Sequence, residues 1–356
     1  MKAEIFLRFF ITNMKKTLLI YFVLIFNTCI YAQDYLDKTP ARYFTILVQN
    51  RHEDENLTSK NKIKKLYLID EIKKDTSSVK VFNNKGQLSE GIEYSNGQRT
   101  KKWTYTYPEN AKVFSIYEYK NGIPDKIPNE VWTWEYDKNK NLVSQKTVYK
   151  SGTELVNQYT YDQNNNMTSK LYYASKKLIN STLYKYNNNN LLTELIKRNH
   201  SNVNANETIV STDTATYFYN DKKECYEIIY SNGNTKNIYN FTYSDGKLTG
   251  EDRTSFDNSN GNIRYMYKGN LLTNIIESID GKGTADTKID YDTKGRISKT
   301  ETYNDGGLVF RYSFTRNDQT RLVQEYTYDA YNFRKTIIRK ENGILMSNYK
   351  YSFEYY

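Results

Sequence analysis

Apolar residues alternate with polar ones in segments of about eight residues along most of this chain, and each segment ends in a polar turn. Trp134-x-Tyr136-Asp137 is followed by Leu142, Tyr159-x-Tyr161-Asp162 by Met167, and Tyr184-x-Tyr186-Asn187 by Leu192. The phrase returns at Tyr217-x-Tyr219-Asn220, Tyr265-x-Tyr267, Tyr291-Asp292 with Gly295 and Ile297, Tyr326-x-Tyr328-Asp329 and Tyr349-x-Tyr351. A second turn type lies between these: Tyr94-Ser-Asn-Gly97, Tyr119-Lys-Asn-Gly122, Tyr149-Lys-Ser-Gly152, Tyr230-Ser-Asn-Gly233 and Tyr303-Asn-Asp-Gly306. The two alternate about every twelve residues, which makes a hairpin repeat of about 24 and about 22 half-units in all.

Period-two alternation with turns at this spacing predicts an all-β fold of tandem antiparallel hairpins. Asn-Gly at 96–97, 121–122, 232–233 and 342–343 suits two-residue hairpin loops, whose central residues need positive φ. Strands of eight residues are about 27 Å long and about 4.8 Å apart, so 22 of them span about 100 Å. The expected architecture is a long twisted, coiled sheet or an open shell-like meander with a tyrosine-rich ladder on one face. The regular array covers 81–356. Residues 33–80 form a β segment leading into it, with strands expected at Ala41 to Gln49 and Lys62 to Ile69 around a polar loop from Asn50 to Asn61. Two insertions are expected to interrupt the array. One is Asn121 to Glu130, with Pro124 and Pro128 inside it and Pro108 before it; the other is Arg198 to Ala215, rich in Asn, Ser and Thr.

The start reads as an export signal. Met14-Lys15-Lys16 supplies positive charge, Leu18 to Phe26 is an unbroken apolar run, and Ile30-Tyr31-Ala32 offers cleavage before Gln33. The run falls short of the roughly 20 residues that span a bilayer. Residues 1–32 are therefore expected to be removed, with Cys29 a poor lipidation site, leaving a protein secreted or held in the periplasm or at the cell surface without a transmembrane span. Their removal takes away four basic residues and one acidic one, for a remaining balance of +7. That charge, without a basic cluster or motif, gives no reason to expect nucleic acid as a partner. Only Cys225 remains after cleavage, so no disulfide supports the sheet, and the thiol is expected to pack as a small hydrophobe.

Two kinds of bacterial hairpin repeat resemble this pattern. Asp290-Tyr291-Asp292-Thr-Lys-Gly295-Arg296-Ile297 is similar to the YD repeat of Rhs and teneurin proteins. Tyr136-Asp137 and Tyr161-Asp162 match its first half, with Asn where the Gly belongs and no Arg after it. Tyr94-Ser-Asn-Gly97 with Lys102-Trp103-Thr-Tyr105 resembles the MORN-variant repeat of exported and antitoxin-type proteins. Together the patterns touch most of 81–356. The resemblance implies a hairpin array. The closed toxin-enclosing shell of long YD proteins is not carried over, because the chain is short and lacks their self-cleaving core and toxic tail.

Candidate chemistry is sparse. His52 and His200 stand in polar stretches far apart and read as solvated loop residues. No H-E-x-x-H, nucleophile elbow or Cys/His zinc spacing occurs, so neither an enzyme nor a metal or cofactor site is expected. Asp257 to Gly261 is a poor calcium loop, with glycine where an oxygen ligand belongs. Glu251 and Asp252 are adjacent and so face opposite sides of a strand.

The one local concentration is tryptophan: Trp103, Trp132 and Trp134, with Tyr136 extending the face of the last two. These four form either an aromatic platform for sugar rings or a buried anchor cluster. Lys101, Lys102, Lys126 and Lys138 supply nearby charge. The expectation is a non-enzymatic binding or structural surface for glycan, envelope component or protein, the alternative being an antitoxin- or immunity-like protein that binds a cognate toxin.

Overall fold

The computed structural model describes residues 55–203, 206–255, 260–279, 283–304, 320–331 and 333–356. The expected signal sequence, the strand expected at 41–49, His52 and most of the calcium-like loop lie outside them. Twenty-three strands occur among the described residues, and each long strand pairs antiparallel with the next. The first, Ile63–Asp70, also pairs with the last, Ile344–Tyr355, with Leu66 opposite Phe353 and Leu68 opposite Tyr351. The result is a closed barrel of 22 strands, not the open coiled sheet or meander that the repeats suggest. An array left open would present two unpaired edges, and closing it pairs the backbone groups of both.

Local differences from the sequence reading are also physical. Glu55–Lys60, expected as loop, forms a short helix. Thr58 is buried there, and its hydroxyl donates to the Gly86 carbonyl at 2.6 Å. Gly86 has no room for a side chain, because a Cβ would lie 2.4 Å from the Ser59 nitrogen. The Arg198 to Ala215 stretch is no irregular insertion. It forms the facing parts of two long strands, Leu192–Val203 and Asn206–Tyr219, whose Thr, Val and Ile residues suit a ladder. In the other insertion, Ile123–Pro124 turns back on Tyr119 and Lys120. Asn-Gly loops with both residues at positive φ occur at 96–97, 121–122 and 342–343. At 232–233 the loop moves on by one residue: Asn232 pairs with Thr235, and only Gly233 has positive φ.

The turns after the aromatic pairs share one construction. The Asp137 carboxylate accepts from the backbone N–H of Asn139 and of Asn141, each at 2.8 Å. The same two bonds recur at Asn83, Asp162, Asn187, Asn220, Asp292 and Asp329. Where the YD-like turn has Gly295 at φ 72°, Asn165 and Asn190 adopt 62° and 59°. Where it has Arg296 bonded to Asp292, Asn141 and Asn166 donate to Asp137 and Asp162 at 3.0 Å. Asparagine thus replaces both halves of the Gly-Arg pair. It also joins neighbouring turns: Asn141 donates to the Asn165 amide oxygen at 2.9 Å, and Asn166 to that of Asn190 at 3.2 Å.

Each of these turns leads into a register shift, as between Glu135 and Tyr136 opposite Leu142. A bulge there takes a carbonyl out of the ladder. The hydroxyl of the next hairpin's second tyrosine reaches it. Tyr161 donates to Leu142 O at 2.8 Å, Tyr186 to Met167 O at 2.9 Å, and Tyr219 to Leu192 O at 2.8 Å. Tyr107, Tyr243, Tyr267, Tyr291 and Tyr328 do the same to Leu88, Cys225, Leu248, Leu272 and Ile297. At the seam, Tyr356 donates to Phe82 O, before the Asn83 turn.

All these rings lie on one face of the wall, here called the ring face. It carries the buried core, including Tyr159, Met167, Tyr184, Tyr217, Ile228 and Tyr265. The opposite face carries cross-strand ion pairs: Lys102–Glu90 at 2.9 Å, Lys146–Glu154 at 2.6 Å, Arg264–Asp252 at 2.5 Å, and Glu301 between Lys299 and Arg321. Cys225 is buried on the ring face, and burial pushes its thiol up to about 12, in keeping with a packing role.

Two outcomes follow. Tyr186→Phe keeps the ring but orphans the Met167 carbonyl, so chemical denaturation should show a loss of about 1–3 kcal/mol. Tyr226→Phe, on an exposed ring, should change little.

The second outcome concerns acid. Burial pushes the Asp137, Asp162 and Asp292 carboxyls up, but turn hydrogen bonds outweigh it and hold all three below the ordinary range. Bonds from Arg321 and Lys299 likewise hold Glu301 down, at about 2. Groups with depressed pKa stabilise the fold fully above their unfolded values of about 4, and the benefit disappears as pH falls through the folded ones. Melting temperature should therefore be level from neutral pH to about 5 and fall progressively towards pH 2.

Candidate functional site: an aromatic platform on the ring face

Trp103, Trp132, Trp134 and Tyr136 all lie on the ring face, as their i, i+2 spacing implies. Trp132 and Trp134 stack with centroids 6.0 Å apart and planes at 23°. The Trp132 indole N–H donates to a Glu130 carboxylate oxygen at 3.1 Å, which fixes the first ring. Tyr136 continues the row to the Asp137 turn and packs, like Trp134, against the largest core cluster.

Trp103 is not on a strand adjacent to Trp132. The strand Ala111–Lys120 lies between them and contributes Phe114, which is opposite both Tyr105 and Trp132. Tyr105 and Phe114 stack at 4.6 Å, so the rings form a continuous band across three strands. The Trp103 indole lies over Gly91, where an added Cβ would meet the ring at 2.1 Å, and the Lys80 ammonium is 6.0 Å from its centroid. All four predicted residues are half-buried, neither core nor free surface.

The cation at the centre of this band is Lys112. Its ammonium is 4.8 Å from the Tyr105 ring, 5.8 Å from Trp134 and 5.9 Å from Tyr107. Parity along Ala111–Lys120 would have found it, since Lys112 and Phe114 share a face, but no aromatic pair marks that strand. Of the lysines expected nearby, Lys101 is on the ring face at its edge. Lys102 points to the other face and pairs with Glu90. Lys126 and Lys138 are exposed in turns.

Elsewhere the structure revises one residue and supports another reading. His200 lies in a strand rather than a loop, and its Nε2 is 2.8 Å from the Ser181 hydroxyl. This Ser–His contact is on the face opposite the rings and so belongs to no common site with them. Glu251 and Asp252 do face opposite sides: Glu251 is buried on the ring face, and Asp252 bonds Arg264.

No family model matches the chain, and no curated protein does. Among solved structures, an alignment with the TcdB2-TccC3 toxin complex has 11% identity and a TM-score of 0.29, covering 78% of this chain and 19% of the other. A porin-like protein from Bacteroides uniformis aligns at 11% identity and TM-score 0.29, over 83% of this chain and 97% of the other. One from Bacteroides vulgatus gives 13% and 0.25, over 63% and 94%. This chain spans about a fifth of the first structure's length. Such TM-scores fall short of a shared fold and bear on no function.

The band predicts a specific sensitivity at Gly91. Gly91→Ala should displace the Trp103 indole and cost about 1–3 kcal/mol by overpacking, with a changed near-UV circular dichroism signal from Trp103. An unchanged spectrum and stability would mean that the indole does not lie over this glycine.

Proposed function

We propose that this protein is an exported, non-enzymatic β-barrel that binds saccharide on its ring face, with Trp132 and Trp134 as the platform. The supporting observation is the pair itself: two half-exposed indoles with nearly parallel planes, one of them fixed through its N–H to Glu130. A sugar ring presents C–H groups to an aromatic face and hydroxyls to its rim, and Glu130, Lys112 and Gln145 supply polar groups at that rim.

The ring face is taken as the inner one. Twenty-two strands tilted as in other barrels make a ring about 40 Å across. In a single wall of that curvature, side chains converge on the concave side and splay on the convex side, so the face that buries rings is the concave one. Neither face suits lipid, because a membrane barrel shows an apolar outer band about 25 Å tall. Here the convex face carries ion pairs on strands around the circumference, and the ring face carries Lys170, Glu251, Glu277 and Arg334. With the export signal expected at 1–32, this favours an envelope compartment or the exterior over a membrane span.

The test is the double variant Trp132→Ala/Trp134→Ala. A platform predicts loss of glycan binding with melting largely retained. A purely structural pair predicts a loss of about 3–5 kcal/mol per buried ring and no glycan binding by the wild type on an array.

A further inference from the structure

The platform continues across the sheet. Lys112 is opposite Trp134, Trp134 opposite Gln145, Gln145 opposite Asn157, and Asn157 opposite Tyr172. Tyr172 in turn is opposite Asn180, and Asn180 opposite Asn199. Partners directly across a ladder are about 5 Å apart, so these six steps make a continuous track of about 30 Å along the curved wall, running across the strands. Every position on it is an aromatic, amide or ammonium side chain, and every one is half-buried on the ring face. The repeat gives no reason for this. Neighbouring rows hold Met167, Tyr184, Leu192 and Ala215, which are packed as core.

The track's polar groups are only partly used within the protein. Gln145 accepts from the Tyr159 hydroxyl at 3.3 Å through its oxygen, which leaves its amide N–H groups available. Asn199 donates to Ser211 at 2.6 Å. The side chains of Asn157, Tyr172 and Asn180 have no protein hydrogen-bond partner among the described residues. These groups keep contact with solvent, so a ligand can hydrogen-bond to them without displacing a protein partner.

The next row carries charge. Tyr159 is opposite Lys170, Lys170 opposite Thr182, and Thr182 opposite Lys197. The Lys170 ammonium is 5.9 Å from the Tyr159 ring and has no carboxylate within ion-pair distance among the described residues. Lys197 is exposed and opposite Asp213, yet the two form no ion pair; Asp213 is buried and accepts from Tyr230 at 3.1 Å. Burial and the nearby Lys197 hold the Lys170 ammonium below the ordinary lysine range, as expected of two cations short of an anion. Glu130, at the platform, and Asp213 are the acidic groups facing this region; Glu130 is engaged by Trp132 and Asp213 by Tyr230.

We infer that the ligand is an extended anionic polysaccharide, carrying carboxylate or sulfate groups, laid along the track from Trp134 towards Asn199. One sugar advances a polymer by a length close to one strand spacing, so successive sugars meet successive side chains. The aromatic end stacks, the amides bond hydroxyls, and Lys112, Lys170 and Lys197 take the acidic groups. This rests on the saccharide reading above and specifies its ligand class.

The experiment uses the mature chain and calorimetric titration with three probes: an oligouronate of about six sugars, matching the six strand steps, a neutral gluco-oligosaccharide of equal length, and poly-glutamate. The oligouronate should bind, weaken with added salt, and exceed both other probes by about tenfold or more. Lys170→Met/Lys197→Met should remove that preference, and Asn157→Ala/Asn180→Ala should weaken binding, each with melting unchanged. Neutral sugar bound as tightly as uronate, or lysine variants with wild-type affinity, would overturn the anionic ligand while leaving the platform. Poly-glutamate bound as tightly as uronate would overturn the saccharide. Uronate binding that survives the Trp132/Trp134 double variant would overturn the platform and keep the track, and no binding of any probe would overturn both.

Discussion

Everything in this barrel depends on one contact: a tyrosine hydroxyl from one hairpin donating to a carbonyl that the preceding hairpin's bulge has released from its ladder. A buried carbonyl without a donor costs about 1–3 kcal/mol, and the repeat would incur that cost once per hairpin. The hydroxyl offsets it and at the same time adds a side-chain tie between the neighbouring strands of successive hairpins, as from Tyr161 to Leu142. The bond requires tyrosine rather than phenylalanine at the second aromatic position of these hairpins. Phenylalanine would fill the same space and leave the carbonyl unpaired.

The turns carry a related economy. An Asp or Asn at the turn's first position orders the loop through its own backbone, and an Asn at the left-handed position accepts from the previous turn's amides. One rim of the barrel is thus bound side chain to side chain over the stretch from Asp137 to Asn190. Stability there comes from many bonds of about 1 kcal/mol each rather than from a thick core. The face opposite the rings adds ion pairs that are individually weak in water. Their greater effect is to keep that face wet and so prevent the wall from stacking on another sheet.

Strand identity, facing and most hairpin loops were legible in the sequence because they depend on neighbours. Period two places Trp132 and Trp134 on one face whatever the global fold, and Asn-Gly at 96–97 folds as its φ requirements dictate. Closure was not legible, since Leu66 meets Phe353 across almost the whole chain and neither residue differs in kind from its counterparts in other strands. The long hairpin at 192–219 was missed because Asn, Ser and Thr were read as loop formers although their neighbours are β-branched. At the site, the tryptophans stood out by rarity. Lys112 and the amide track did not, because each is an ordinary polar residue made notable only by the register that aligns it.

Closure also sets a timetable for folding. Every hairpin but the last joint forms between segments close in sequence, so the wall can zip progressively as successive pairs dock. The seam is different: Ile63–Asp70 must wait, one edge bare, until Ile344–Tyr355 has emerged and Tyr356 can reach Phe82. A chain folding during synthesis would spend that interval as an adhesive half-cylinder. A chain released whole before it folds would instead have both ends of the seam at once, so the geometry of the last joint favours folding after synthesis over folding beside the ribosome.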